Sequence, residues 1–419
     1  MNLSDLLSRG ELLHPVDREI PNSVDLFRAI ALASGDLAIL DEPGMTDHVV
    51  PLARSIGGTR NLVVVLADGL GIEPIERHAS PSGTLRTKLR RELRAVYPST
   101  TAVALTSAAA AAWPGQHGLT GWFTRFPSLE RTLAILPFVE QATGVPGGSF
   151  GIDAADLIQV DAVWGRSLRE VHAILPRDIE PGTYNEWFEL GVRSSRRRSQ
   201  ERAPREVERL LRRARGPALV YAYLPVVDSV AHKYGPWSEE TGAAVRSIEN
   251  ALDEIVARAR EATGGDVTVL LTADHGHTET PKDYSLVVEA GDSILEILAA
   301  PPSGDVRSIQ LQRNNSGGNN GSANAWMEQV REYLNGRIEA MPQPRPRFSL
   351  VSSDELFELG LLGPVPVPDS VRANWGDATL IALDGLTLEY ATPEARPKQY
   401  PGSHSGLTPA EMRVPLVLV

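Results

Sequence analysis

The stretch Val267–His277 constrains this chain more than any other. A β-branched apolar run ends abruptly in Asp274, His275, Gly276 and His277. Because the run is apolar continuously rather than alternately, it predicts a strand buried on both faces, as in parallel sheets covered by helices. In open α/β sheets, ligands bind beyond the carboxyl ends of the strands. A carboxylate and two imidazoles at such an end therefore sit where chemistry is done. Asp and His are also ligand types for zinc and related divalent ions. A glycine between them lets the backbone turn tightly or approach a ligand.

The same pattern recurs upstream. Asn61–Ala67 is a second buried apolar run, and it ends in Asp68 and Gly69. Ala218–Leu224 is a third, running through Pro225 into Asp228 and His232. These two are four residues apart, so on a helical turn they share a face and can chelate one ion. Pro98 closes an extended segment, and Ser99, Thr100 and Thr101 follow as N-cap types before the alanine-rich run 102–112. A hydroxyl there stands at the positive end of a helix, which favours an alkoxide and a bound phosphate. Near the end of the chain, His404 lies in a Gly-Ser-His-Ser-Gly loop before a last apolar strand, Met412–Val419.

Bulk properties narrow the class. The 419 residues carry 42% hydrophobic and 22% charged side chains, an ordinary globular balance. A length of this order fits one large α/β domain with insertions, or two domains. The net charge of -12 argues against nonspecific nucleic-acid binding. Cysteine is absent, so any metal must be held by histidines and carboxylates, and no cysteine nucleophile exists. Met1–Gly10 has no basic stretch followed by an apolar run, and no apolar run is long enough to span a bilayer. The expected setting is the cytoplasm.

The expected organisation is a lead-in over 1–60, an α/β metallohydrolase core over 61–284, an inserted cap over 285–395, and a completing segment over 396–419. Leu85–Leu93 reads as a basic helix. Ser195–Ser199 and Arg205–Arg215 read as a helical arginine-rich patch, solvated because Glu201, Glu206 and Glu208 interleave with it. Asn314–Ser322 reads as a low-complexity mobile loop, and Ala378–Tyr390 as a β-hairpin around Asp384 and Gly385.

Together Asp68, Thr101, Asp228, His232, Asp274, His275 and His404 resemble the alkaline phosphatase superfamily, closest to its type I phosphodiesterase/nucleotide pyrophosphatase branch. The likeness covers about 61–122, 218–280 and 400–419, and includes His117-Gly118 after the nucleophile helix. It implies a three-layer αβα fold with a largely parallel sheet. It also implies two divalent ions, zinc first and manganese or iron as alternatives. By resemblance Asp228, His232 and His404 hold one ion. Asp68, Asp274 and His275 hold the other beside Thr101, which is the nucleophile and itself a metal ligand. The implied function is a two-metal phosphoesterase cleaving a phosphodiester or pyrophosphate bond through a phosphothreonine. Alternatives on the same core are a phosphonate or phosphomonoester hydrolase, a phosphomutase, or a non-catalytic phospholigand-binding module. The chain departs from the branch in having Ala102–Leu105 after Thr101, and Gly121-Trp122 in place of a phosphate-holding asparagine. His277 is an extra imidazole, either beside the ligands or on the surface.

Overall fold

The computed structural model describes residues 1–177, 179, 182–314, 322–392 and 398–419. The three buried runs form neighbouring strands of one sheet. Among the described residues its strands are β1 (Asn61–Ala67), β2 (Leu89–Arg94), β3 (Glu170–Pro176), β4 (Ser194–Arg198), β5 (Ala218–Leu224), β6 (Val267–Thr272) and β7 (Arg413–Leu418). They lie in the order β2-β7-β6-β1-β5-β3-β4. Every pair is parallel except those made by β7, which runs against both neighbours. All seven residues of β1 and of β5 are buried, as their unbroken apolar sequence demands. Each buried aliphatic contributes about 1.5–3 kcal/mol.

Helices cover the sheet. α1 (Thr101–Ala110) packs with Ser23–Ala33, which in turn packs on Val49–Ile56. α2 (Val226–Tyr234) leads into α3 (Glu239–Thr263), whose Val245, Ile248, Leu252 and Ile255 are buried at helical spacing. α3 lies against Ala203–Arg213 and against β1 and β6. Leu3, Leu6, Leu12, Val24 and Ile30 of the lead-in are built into this same core. No described helix is long and apolar enough to cross a membrane.

A second sheet is antiparallel throughout. It runs Phe348–Ser352, Ala378–Ala382, Ser308–Leu311, Ser303–Asp305, Phe123–Phe126, Arg131–Ala134, Val139–Glu140. Its strands come from two distant parts of the chain. It has its own apolar cluster, where Trp326, Val330 and Leu334 of the helix Ala323–Glu339 meet Ile309, Leu350 and Leu380.

Three local expectations are corrected. Leu89–Arg94 is an edge strand, not the end of a helix: pairing with β7 outweighs helix propensity, and exposed Arg90 and Arg91 mark a charged edge. Ser194–Arg198 is likewise the opposite edge strand, with Arg197 paired to Glu189 and Arg198 to Glu206. Asp384 and Gly385 do reverse the chain with positive φ, 49° and 81°, but the flanking strands do not pair. One joins the second sheet, and Thr387–Tyr390 pairs in parallel with Ser285–Val288. The expected loop at 314–322 falls largely on 315–321, outside the described residues.

The two sheets are joined by a fully buried ion pair. Arg307 Nε donates to Glu411 Oε1 at 2.7 Å and Nη2 to Oε2 at 3.1 Å. Glu411 also accepts the amides of Gly406 (2.8 Å) and Thr408 (3.2 Å), fixing the loop that follows His404. Burial alone would raise the Glu411 carboxyl, but Arg307 and the Thr408 hydroxyl hold it below its ordinary range. Its stabilising contribution is therefore complete above the unfolded value near pH 4.3 and drains as the pH falls through the lower folded value. Glu411→Gln leaves the guanidinium buried against a neutral partner, at an expected cost of about 3 kcal/mol or more. The measurement is the denaturant midpoint at neutral pH, and a midpoint equal to that of the parent chain contradicts the clamp.

Candidate metal centre

Strand register brings the carboxylates together. Ala67 lies opposite Leu224 and Leu66 opposite Thr272, so β1, β5 and β6 end level. The next residues carry the chemistry. The Asp68 amide donates to Leu224 O at 3.0 Å, and the Asp228 amide donates to Asp68 O at 3.1 Å. Gly69, at φ +71°, leaves no room for a side chain: a Cβ there would stand 2.8 Å from His277 Nε2. Gly276 is required by a close approach rather than by a positive φ, since its Cβ would meet Ala410 O at 2.1 Å.

The reversed direction of β7 does the rest. Its start lies at the carboxyl ends of the parallel strands, beside the end of β2, where Arg413 faces Arg94. His404 before β7 and Thr101 after β2 are thereby delivered to one edge. A bridge between Ser99 and Ser405 ties the two approaches together, and His404 Nδ1 lies 2.9 Å from Ser99 O.

All seven residues expected from the sequence meet here: six of them, joined by His277, form two groups, and Thr101 stands beside the second. The first holds Asp228, His232, His277 and His404, and the second Asp68, Asp274 and His275. In the first, His277 Nε2 lies 3.0 Å and His232 Nε2 3.2 Å from Asp228 Oδ1. His404 Nε2 lies 3.3 Å from His232 Nε2 and 3.6 Å from Asp228 Oδ1. In the second, His275 Nε2 lies 3.4 Å from Asp68 Oδ1 and 3.5 Å from Asp274 Oδ2. Tetrahedral ligands at about 2.0 Å from a metal stand about 3.3 Å apart, so these separations fit donor atoms around cations. Thr101 Oγ1 is 3.1 Å from His275 Nε2.

The donor chemistry fits as well. His404, His232 and His275 each place Nδ1 near a backbone oxygen, of Ser99, Gly402 and Gly276, at 2.9, 2.8 and 3.1 Å. That tautomer leaves Nε2 lone pairs facing the cluster. Asp68 Oδ1 and Asp274 Oδ2 are buried with no hydrogen-bond partner among the described residues, a costly arrangement unless a cation is bound. Burial, with Asp228 and Asp274 close by, drives the Asp68 carboxyl well above its usual range. Burial resists ionisation of Asp228, yet His232 and His277 pull it well below. Burial and the three neighbouring imidazoles keep His404 far below the usual histidine value, and burial takes His277 down to about 4. Tyr223 donates its hydroxyl to Asp68 Oδ2, and the amides of Gly69 and His275 donate to Asp274 Oδ1 at 3.1 and 3.0 Å.

His277 is the residue that sequence reasoning left undecided. The signal was its spacing: His275 and His277 are two apart, and in extended backbone such residues face the same side. The short ladder Thr278–Glu279 with Gly402–Ser403 then sets His277 beside His404, with ring centroids 5.0 Å apart. His117 behaves differently. It is fully buried behind α1, accepting from the Leu119 amide at Nδ1 (3.2 Å) and meeting Ser107 Oγ at 3.0 Å through Nε2.

The centre opens on a cleft of roughly 660 Å3. Asp68, Thr101 and Asp228 form one wall, and Leu105, Trp122, Tyr184, Phe188 and Tyr221 line much of the remainder. No lysine or arginine is among the described residues that line it.

The model of the type I phosphodiesterase / nucleotide pyrophosphatase family matches residues 62–358. The chain belongs to that family. It is accordingly a hydrolase of phosphoester bonds within the alkaline phosphatase superfamily. No curated protein matches it in sequence. Murine ectonucleotide pyrophosphatase / phosphodiesterase 5 is similar in fold, with a TM-score of 0.57, 13% identity, and 85% of this chain and 87% of that chain covered. An inactive threonine-to-alanine variant of the murine enzyme, in complex with AMP, gives 0.56, 13%, 85% and 87%. Phosphonoacetate hydrolase from Sinorhizobium meliloti 1021, in complex with phosphonoformate, gives 0.56, 16%, 86% and 90%. These likenesses establish the fold, an alkaline-phosphatase-like α/β core with a largely parallel sheet.

Burial pushes His117 down to about 3. A histidine depressed on folding contributes stability present above its unfolded value near pH 6.5 and lost as the pH falls below it. Side-chain NMR should find His117 neutral at every pH from 8 down to 5, and a protonation step inside that range contradicts its structural role.

Proposed function

We propose that this protein is a two-metal phosphodiesterase or pyrophosphatase that works through a phosphothreonine on Thr101. One observation carries the reading: the Thr101 hydroxyl sits against His275 of one donor group, at the start of α1, on the wall of an apolar cleft. Asp68, Asp274 and His275 would hold one ion beside Thr101; Asp228, His232 and His404, with His277 as a fourth donor, would hold the other. Zinc suits this set of imidazoles and carboxylates, and manganese or iron is the alternative. When bound, such ions supply Lewis acidity that lowers the pKa of a hydroxyl or water and offsets phosphoryl charge.

The chain's own groups do the positioning. Thr101 Oγ1 gives up its proton and attacks phosphorus, one ester or anhydride oxygen leaves with its group and takes up a proton, and water later cleaves the bond to the threonine, releasing the remaining phosphomonoester and restoring the hydroxyl. Free amides at the start of α1 hold a phosphoryl oxygen as charge develops. Tyr223 orients Asp68. The cleft takes the organic part of the substrate, stacking or packing it on Trp122, Tyr184 and Phe188. Tyr221 lines the same cleft with a buried hydroxyl that has no partner among the described residues, and burial with Asp274 and Asp68 nearby keeps it protonated, as a donor. An uncharged aromatic substituent suits this lining. A small phosphonate bearing a carboxylate needs a cation there, and the described lining offers none.

Thr101→Ala should lower turnover of an aryl or nucleoside phosphodiester at least about 1,000-fold. Metal content by mass spectrometry should stay at two ions per chain. Retained turnover refutes the nucleophile, and loss of both ions shows that the residue serves the metal instead. His277→Ala should weaken binding of one ion about tenfold or more while the other is held as before. Equal affinity for both ions in a competition titration removes His277 from the ligand set.

A further inference from the structure

Thr100 is the N-cap residue of α1, with the extended backbone (φ -125°, ψ 146°) that an N-cap requires. An N-cap threonine ordinarily turns its hydroxyl onto the amide two or three residues ahead. Here it does not, and no side chain caps α1. The Thr100 hydroxyl instead donates across the molecule to Oδ2 of Asp305, at the end of a strand of the second sheet. Asp305 is held in turn by the Val306 amide at 2.8 Å to Oδ1. The first helical backbone bond of α1 is from Ala104 to Thr100 O at 2.9 Å, so the amides of Thr101, Ala102 and Val103 precede the ladder. Those are the donors beside the Thr101 hydroxyl.

We infer that Asp305 is a positioning residue that keeps the nucleophile helix uncapped, by drawing the Thr100 hydroxyl away so that the leading amides stay open to a phosphoryl group. The inference rests on the phosphoesterase reading above. Without the Asp305 carboxylate, the Thr100 hydroxyl has a partner within its own turn, the Val103 amide, and takes it. The cap then competes with a phosphoryl oxygen for the same N–H. Asp305 is not among the described residues that line the cleft, and it acts through Thr100. The second sheet thereby reaches the nucleophile helix through the Asp305–Thr100 hydrogen bond.

The order of effects across two substitutions tests this. Inorganic phosphate is titrated calorimetrically into the zinc-loaded full chain. Asp305→Ala should raise the dissociation constant for phosphate about tenfold, the equivalent of one lost hydrogen bond to a charged group. Adding Thr100→Val should restore affinity to within about threefold of the parent, because a valine cannot cap. Asp305→Ala with Thr100→Ser should stay weak, because a serine can. A merely structural role for Asp305 predicts the reverse, with further damage from the second substitution and no rescue. Asp305→Val fills the vacated volume and replaces the alanine variant if that chain does not fold. Unchanged phosphate affinity in the Asp305 variant, or no rescue by valine, overturns the inference. A parent chain that binds zinc but no phosphate overturns the phosphoesterase reading itself.

Discussion

Three carboxylates, two buried and one half-buried, gathered beyond the ends of adjacent strands are the constraint on which the rest of the structure depends. Asp68 and Asp274 are out of water and Asp228 is half-buried beside them, and one oxygen each of Asp68 and Asp274 has no hydrogen-bond partner among the described residues. Ionised carboxylates in such a place repel one another and lack solvation, at a cost no packing term offsets unless cations bind. The fold nevertheless spends its most regular element on them. β1, β5 and β6 are its most deeply buried parallel strands, and their common register fixes the three acidic positions more tightly than loops could. Four imidazoles then surround the carboxylates, turned inward by backbone carbonyls or by Asp228.

Assembly of this centre needs parts of the chain far apart in sequence, and the reversed strand β7 accounts for how they arrive. Because β7 runs against its neighbours, the segment before it enters at the functional edge and carries His404 there. Its approach is fixed by Glu411, which binds the loop amides and the buried Arg307 of the second sheet. The second sheet is thus joined to the reacting edge through Arg307, to the His404 loop, and through Asp305, to the nucleophile helix. Both contacts come from the tight turn Asp305–Ser308 between two of its strands.

Much of this was legible in the sequence, for physical reasons that can be named. Unbroken apolarity in Asn61–Ala67, Ala218–Leu224 and Val267–Thr272 announced strands buried on both faces, and the polar residues closing each run announced the site. The four-residue spacing of Asp228 and His232 announced a shared helical face. What failed were segments whose partners are distant. Leu89–Arg94 has a helical composition, and only β7, more than three hundred residues away, makes it a strand. Thr387–Tyr390 follows a good hairpin turn, yet Ser285–Val288 claims it. Spacing put His277 on the same side as His275 but left its role open, and Asp305 was beyond reach, for a related reason. One depends on the ladder with Gly402–Ser403, the other on how a second sheet docks, and neither is a local property.

The central claim is that six inward-facing side chains and His277 exist to hold a pair of cations next to a threonine hydroxyl. Anomalous diffraction from crystals grown with zinc, collected on both sides of the zinc edge, tests it most directly. The account predicts two peaks about 4 Å apart, one among Asp228, His232, His277 and His404, and one among Asp68, Asp274 and His275 with Thr101 Oγ1 beside it. Well-ordered crystals of zinc-saturated protein with no peak at either position, and with the three aspartates paired only to protein groups, would contradict it.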